Sequence, residues 1–252
     1  MPRPPLPSPQ ALDALDVDAI VRDAARKQSF VTPMFEHIAP RYDAFTRWFS
    51  FGMDAGWKRE LLAMIADPPP SVADLACGTG DLALAVARTF SNAQVLGVDA
   101  ATGMIERARA RLGGETRVRF EVGDLGHLAL TDGSLDAITA GYAYRNVPDV
   151  HAALTESARV LRPGGMLYTL DFYRPAWAPW RAAFLAYLRV AGSAFGWWWH
   201  RAPVIYAYIA TSIDAWLTIA EWEAALTRAG FDLVTSRRHL GGGVALHAAR
   251  RR

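Results

Sequence analysis

The chain has 252 residues but one cysteine, Cys77, only two lysines, Lys27 and Lys58, and no uninterrupted apolar run of membrane-spanning length. A single cysteine excludes an internal disulfide and any paired-cysteine metal or redox motif, and it predicts a reducing compartment. The six histidines are scattered, no two at ligand spacing, so no metal site is expected. A net charge of +2 is too small to attract nucleic acid, and no such partner is expected. The most apolar stretch, "AAFLAYLRVAGSAFGWWW" at residues 182–199, is interrupted by Arg189 and carries its tryptophans at one end only, which is not the pattern of a spanning helix. The first ten residues, "MPRPPLPSPQ", lack the apolar core of a signal peptide and read as a disordered leader. The resulting expectation is a cytoplasmic protein.

Hydrophobic residues make up 52% and charged residues 21%, enough to bury one large core or two small ones. Residues 11–27 carry apolar side chains at helical spacing and predict one amphipathic helix. Aromatic-rich short helices follow, expected to break at Pro33, Pro40, Gly52 and Gly56 before a clearer helix near Asp54. The "DPPP" at 67–70 closes this helical cap, residues 11–70.

From residue 71 the pattern changes. "SVADLA", "AQVLGVDA", "VRFEVGD", "SLDAITAGYA" and "GGMLYTLDFY" read as strands, separated by helical segments, and "FDLVTSRRH" and "GGVALHAAR" close the chain as two antiparallel strands after a helix capped at Gly230. Such alternation predicts an α/β, Rossmann-like, seven-stranded, mostly parallel sheet with an antiparallel last strand. Its core covers residues 71–175 and 219–252, and residues 176–218 interrupt it as a helical, aromatic insertion that serves as a lid.

In such sheets ligands sit beyond the carboxyl ends of the strands, where strand order reverses. "CGTGD" at 77–81 is the first such turn, with Gly78 and Gly80 allowing a tight backbone and close approach of a ligand. Gly78, Gly80 and Ala83 satisfy the dinucleotide pattern, and Asp99 ends the second strand where it could hold ribose hydroxyls; the match suits NAD and other adenosine cofactors equally. Three features favour a cationic ligand. Asp74 lies within the first strand, where it would answer an ammonium group and oppose a pyrophosphate. Asp124, with Leu125 beside it, is placed to meet an adenine amine. The antiparallel ending replaces a second mononucleotide half. The adenosine cofactor with a positive centre and an amino acid tail is S-adenosylmethionine (SAM).

"DLACGTGD", Asp99, "GDLGHLAL", "RNVPD" and "VLRPGG" resemble the motifs of class I SAM-dependent methyltransferases. "RYDAF", "SFGMDAGWKR", "YAYRNVPD" and "GGGVALHAAR" are similar to one branch, the C-methyltransferases of ubiquinone and menaquinone biosynthesis. The resemblance implies that Thr79 lines the cofactor loop, Asp99 binds the ribose, and Asp124 and Leu125 contact the adenine. Gly141 falls where the family often has a serine, and Ala76, Ala100 and Met104 are expected in the same site. It further implies that Arg145 and Asn146 face the quinone ring, together with Tyr42. Two positions depart from the family on the expected substrate side: Thr46 stands for an asparagine and Asp214 for a basic residue.

For an aromatic carbon to accept a methyl group, a ring hydroxyl must lose its proton, and no histidine or carboxylate is spaced in the sequence to take it. The expected arrangement has Arg145 stabilising the developing phenolate, or a water acting as base, while Asn146 and Tyr42 orient a small lipophilic aromatic substrate. Trp177, Trp180 and Trp197 to Trp199 would cover that substrate, rest on the inner face of a membrane, or form a homodimer interface. Cys77 reads as packing. Rival readings are a methyltransferase of another phenolic metabolite and a non-catalytic SAM-binding scaffold subunit.

Overall fold

The five apolar runs between residues 71 and 172 are strands β1 (Ser71–Leu75), β2 (Gln94–Asp99), β3 (Val118–Val122), β4 (Leu135–Gly141) and β5 (Leu161–Phe172) in a computed structural model that describes residues 17–195 and 203–252. All five are parallel, as helical crossovers require. β6 (Phe231–His239) and β7 (Val244–Arg251) form an antiparallel hairpin, with β7 inserted between β5 and β6. The order is β3-β2-β1-β4-β5-β7-β6, so the connections diverge between β1 and β4 and open a crevice at their carboxyl ends.

Helices α5 (Asp81–Thr89), α6 (Thr102–Ala110), α7 (Val150–Val160) and α10 (Ile219–Arg228) cover both faces. One face buries Leu75, Ile138, Leu154, Leu167, Trp222 and Phe231, the other Val72, Leu82, Val86, Val95 and Leu246. α10 starts on a capping box in which the Glu221 amide donates to Thr218 Oγ1 and the Thr218 amide donates to Glu221 Oε2.

The cap differs from the sequence reading. The expected single helix over 11–27 is, in its described part, two: α1 (Val17–Arg22) stops, Asp23 accepts from the Arg26 amide at 3.2 Å, and α2 (Ala24–Ile38) begins there. α2 runs through Pro33 instead of breaking. The interior proline costs about 3 kcal/mol; Phe30, Val31 and Met34 around it are all buried, at roughly 1.5–3 kcal/mol each, and outweigh it. The break falls at the Pro40 turn, followed by α3 (Tyr42–Phe49) and α4 (Met53–Ala63), whose N-cap Gly52 has φ 75°.

The insertion is a pair of packed helices, α8 (Ala178–Phe195) and α9 (Pro203–Asp214). It shares one apolar cluster with the cap: Phe30, Met34 and Ile38 pack with Phe184, Leu188, Tyr208 and Ile213, over Met104 of the core. Trp180 belongs to this interior, since its Nε1 donates to the Leu240 carbonyl at 2.8 Å and its ring stacks on Phe184, whereas Trp177 is exposed. The leader and Trp197 to Trp199 lie outside the described residues. Among the described residues no helix is long and apolar enough to cross a membrane.

Candidate active site

The turn after β1 is built from left-handed backbone: Ala76 (φ 51°), Gly78 (φ 54°) and Gly80 (φ 80°). The two glycines serve different ends. A Cβ at Gly80 would stand 2.5 Å from the Phe120 ring, so this glycine admits β3 against the turn and does not face a ligand. At Gly78 a Cβ would meet only Tyr42, at 3.8 Å. The Gly78 amide instead donates to Asp99 Oδ2 (2.9 Å) and the Ala101 amide to Asp99 Oδ1 (2.8 Å), which fixes the carboxylate at the end of β2. Burial pushes the Asp99 carboxyl above its ordinary range against those two amides, and Glu36 pushes the same way.

Two clefts meet at this turn. The first, of about 680 Å³, is lined by Ala76, Gly78, Asp99, Ala100, Met104, Asp124, Leu125, Gly141 and Asn146, all expected from the sequence, and by Tyr42. It is closed by Val31, Thr32 and Phe35 of α2 and by Val147 and Pro148, which the sequence reading missed. The second, of about 1170 Å³, takes in Asp74, Thr79 and Thr46 with Asp54, Lys58, Asp81 and Arg111. Tyr42, Ala76, Gly78, Gly141 and Tyr142 line both.

Asp74 is buried; its Oδ1 accepts from Thr139 Oγ1 at 2.8 Å, and its Oδ2 has no hydrogen-bond partner. Burial raises its carboxyl to about 7, over the opposing pull of the Thr139 hydroxyl, Lys58 and the Ala83 amide. Thr79 is held from outside, its Oγ1 and carbonyl accepting from Arg111. Asp124 Oδ1 accepts from the Gly126 amide at 2.8 Å, and Leu125 beside it is buried. At Gly141 a Cβ would meet only Leu82, at 3.7 Å, so the family's serine would fit. Burial pushes the Tyr42 phenol up to about 12.

Arg145 stands apart from both clefts. It is buried, 3.5 Å from Asp171 Oδ1, its Nη1 donating to Ser212 Oγ of α9 and its guanidinium lying over the Phe172 ring. Its neighbour Asn146 does line the first cleft, donating to the Tyr142 carbonyl (2.9 Å) and accepting from Tyr208 Oη (3.1 Å). Asp214, expected on the substrate side, lines neither cleft and pairs with Arg189 at 3.8 Å. Cys77 is buried and its thiol is pushed well above the ordinary range by burial, as a packing residue's would be.

A polar network surrounds Tyr142. Its hydroxyl donates to Asp54 Oδ1 (2.8 Å), Lys58 Nζ reaches Asp54 Oδ2 (2.8 Å) and Asp81 Oδ2 (2.9 Å), and Arg111 closes the chain on Asp81. Asp54 and Lys58 sit inside the quoted "SFGMDAGWKR". Only folding, across 88 positions, shows that the acid meets Tyr142.

The residues present fit SAM. A buried carboxylate with one unpartnered oxygen would meet an ammonium group, a backbone-fixed acid ending β2 suits a ribose, and an exposed acid beside a buried leucine suits an adenine edge and face. A sheet of this order with these three acids defines a SAM-dependent methyltransferase of class I. More narrowly, the chain belongs to the ubiE/COQ5 methyltransferase family, whose model matches residues 22–251. It is similar to the demethylmenaquinone methyltransferase of Streptomyces avermitilis, 36% identical over 86% of this chain and 92% of that one. It is also similar to the ubiquinone/menaquinone biosynthesis C-methyltransferase UbiE of Caulobacter vibrioides, 33% identical over 89% and 93%. In fold it is similar to a geranyl diphosphate methyltransferase solved with geranyl diphosphate and sinefungin, with a TM-score of 0.60 at 17% identity over 79% and 78% of the chains.

Proposed function

We propose that this enzyme C-methylates a prenylated hydroquinone, a demethylmenaquinol or ubiquinol precursor. The observation that carries this reading is the extent of the family match. It begins at residue 22 and includes α2 and α3, the helices that close the first cleft, and methyltransferases on one fold differ mainly in such covering elements. The apolar wall of Val31, Phe35, Leu125 and Val147 suits a flat, greasy ring.

When bound, SAM supplies a methyl group on a cationic sulfur. Asp99 would hold its ribose, Asp124 and Leu125 its adenine, with Met104 beside them, and Asp74 its ammonium group. Tyr42 and Asn146 orient the acceptor ring, and much of the acceleration comes from holding carbon, methyl and sulfur in line. Arg145 acts at one remove, as a positioning residue that ties α9 and Asp171 to the turn carrying Asn146.

The test is transfer of labelled methyl from SAM to demethylmenaquinol and to simple phenols, with the product carbon located by NMR. Ring methylation of the prenylated quinol is expected. Turnover of simple phenols alone would transfer the reading to another metabolite, and SAM binding without turnover would favour a scaffold subunit.

A further inference from the structure

Tyr142 stands at the tip of β4 with φ 59°, a left-handed backbone that aromatic residues rarely adopt. Its surroundings over-determine it: its amide donates to the Leu170 carbonyl, its carbonyl accepts from Asn146, its ring stacks on Phe172 at 5.2 Å, and its hydroxyl meets Asp54. Strain retained in this way concentrates at functional positions.

The chemistry of the contact has a direction. An ionised carboxylate only accepts, so the single phenolic proton of Tyr142 points at Asp54 and its lone pairs are left for another donor. Burial, reinforced by Asp54, Tyr42 and Asp171, holds that phenol protonated. The residue also lines both clefts. A ring hydroxyl brought there would find an acceptor backed by a buried carboxylate. Arg145, engaged with Asp171 and Ser212, offers none.

We propose that Tyr142 and Asp54 are the proton-accepting pair of the methyl transfer, Tyr142 as the residue that touches the acceptor and Asp54 as the residue that receives the proton. This rests on the quinol reading above. The ring O–H bond breaks as the new carbon–carbon bond forms; the proton passes to Tyr142 Oη while Tyr142's own proton passes to Asp54. The methyl–sulfur bonding pair stays on sulfur. The methylated ring carbon then loses its hydrogen to solvent, the ring regains aromaticity, and its oxygen retakes the proton held by the pair, so one proton is released per turnover. Lys58 Nζ lies 2.8 Å from Asp54 Oδ2, on the side of the carboxylate away from the tyrosine.

The test compares wild type with Tyr142→Phe, which keeps the ring stack, and Asp54→Asn, which still accepts from the tyrosine but cannot take a proton. Each is assayed with demethylmenaquinol and with a ring-halogenated analogue whose hydroxyl is already ionised at neutral pH. With demethylmenaquinol both variants should lose roughly 10²–10⁴-fold in kcat, with SAM affinity by calorimetry within a few-fold of wild type. With the ionised analogue the loss relative to wild type should shrink below about tenfold, because no proton remains to be taken. Equal losses on both acceptors, or no loss on either, would overturn the pair's role. A wild-type enzyme that methylates neither quinol overturns the quinol reading itself. If Asp54→Asn does not fold, Tyr142→Phe alone decides.

Discussion

Replacing Asp74 by asparagine separates the fold from its ligand. The wild-type carboxyl is 1% exposed and is raised by burial from 3.8 to about 7. Between those values the folded protein holds a proton that the unfolded chain has released, so stability falls as pH rises, and above about 7 the whole penalty is present. The gap of roughly three pH units at ~1.4 kcal/mol each gives about 4 kcal/mol as an upper figure. Asparagine keeps an oxygen for the Thr139 hydroxyl and places a neutral amide where Oδ2 stands unpartnered; a buried unpaired amide costs about 1–3 kcal/mol. The variant should therefore be about 1–3 kcal/mol more stable than wild type at pH 8 without SAM. That advantage should shrink by roughly 2–3 kcal/mol at pH 5, where most of the wild-type penalty is absent. Urea unfolding at pH 5, 6, 7 and 8 measures both. SAM affinity should fall in the opposite sense, by about 10–100-fold, through loss of a charge-assisted hydrogen bond. In wild type, binding near pH 6.5 should release protons, visible as a dependence of calorimetric heat on the buffer. A stability difference that does not change with pH, or unaltered SAM affinity, refutes the reasoning.

Removing Arg145 alone strands Asp171 in the interior and should destabilise by about 3–5 kcal/mol, while the double change Arg145→Met with Asp171→Asn should cost well under the sum of the single changes, as chemical denaturation would show. Ser212→Ala, which removes the Arg145 tie to α9 together with the Ser212 bond to the Ile209 carbonyl, should destabilise by about 1–3 kcal/mol, less than loss of Arg145, and raise KM for the quinol without altering SAM binding. Gly80→Ala combines a left-handed backbone with a Cβ 2.5 Å from Phe120 and should lose about 2–4 kcal/mol, part of it recovered by adding Phe120→Leu; simple additivity of the two changes would contradict this packing account. Phe51, Val190 and Trp177 are exposed, Phe51 stacking on Tyr187 of α8, so Phe51→Ser with Val190→Ser should slow turnover of vesicle-borne quinol and leave a short-chain analogue untouched.

The sheet and the cofactor side were legible because they depend on local signals: period-two apolar runs, glycines at left-handed positions, and acids at strand ends. Asp99 and Asp124 could be placed from their distance to a strand terminus alone. The cap was less legible, since Pro33 reads as a breaker until the burial of Phe30, Val31 and Met34 is known. The acceptor side was least legible. Arg145 and Tyr142 lie three residues apart after the same strand, and the sequence gives no reason why one guanidinium turns inward to Asp171 while the phenol faces the clefts. That choice is made by Asp171 and Ser212 on one side and Asp54 on the other, partners 26, 67 and 88 residues away.

Those partners belong to a wider set of ties between the site and the helices that cover it. Three ties run from the cap and insertion to the turn after β4: Lys27 Nζ to the Val147 carbonyl, Tyr208 Oη to Asn146 Oδ1, and Arg145 to Ser212. At about 0.5–1.5 kcal/mol for the Tyr208–Asn146 bond and roughly 1.5–3 kcal/mol for each of the two bonds from a charged group, the three ties together hold the cap and the insertion to this turn by several kcal/mol. The Lys27 tie is sensitive to its surroundings, because burial and the nearby Arg145 bring its ammonium group down to about 8. The turn they clamp begins beside Tyr142, whose carbonyl accepts from Asn146, so the same residue is tied both to the insertion and to Tyr142. The cap and the insertion, although separate in sequence, are therefore joined twice: through one apolar cluster and through their ties to this one turn.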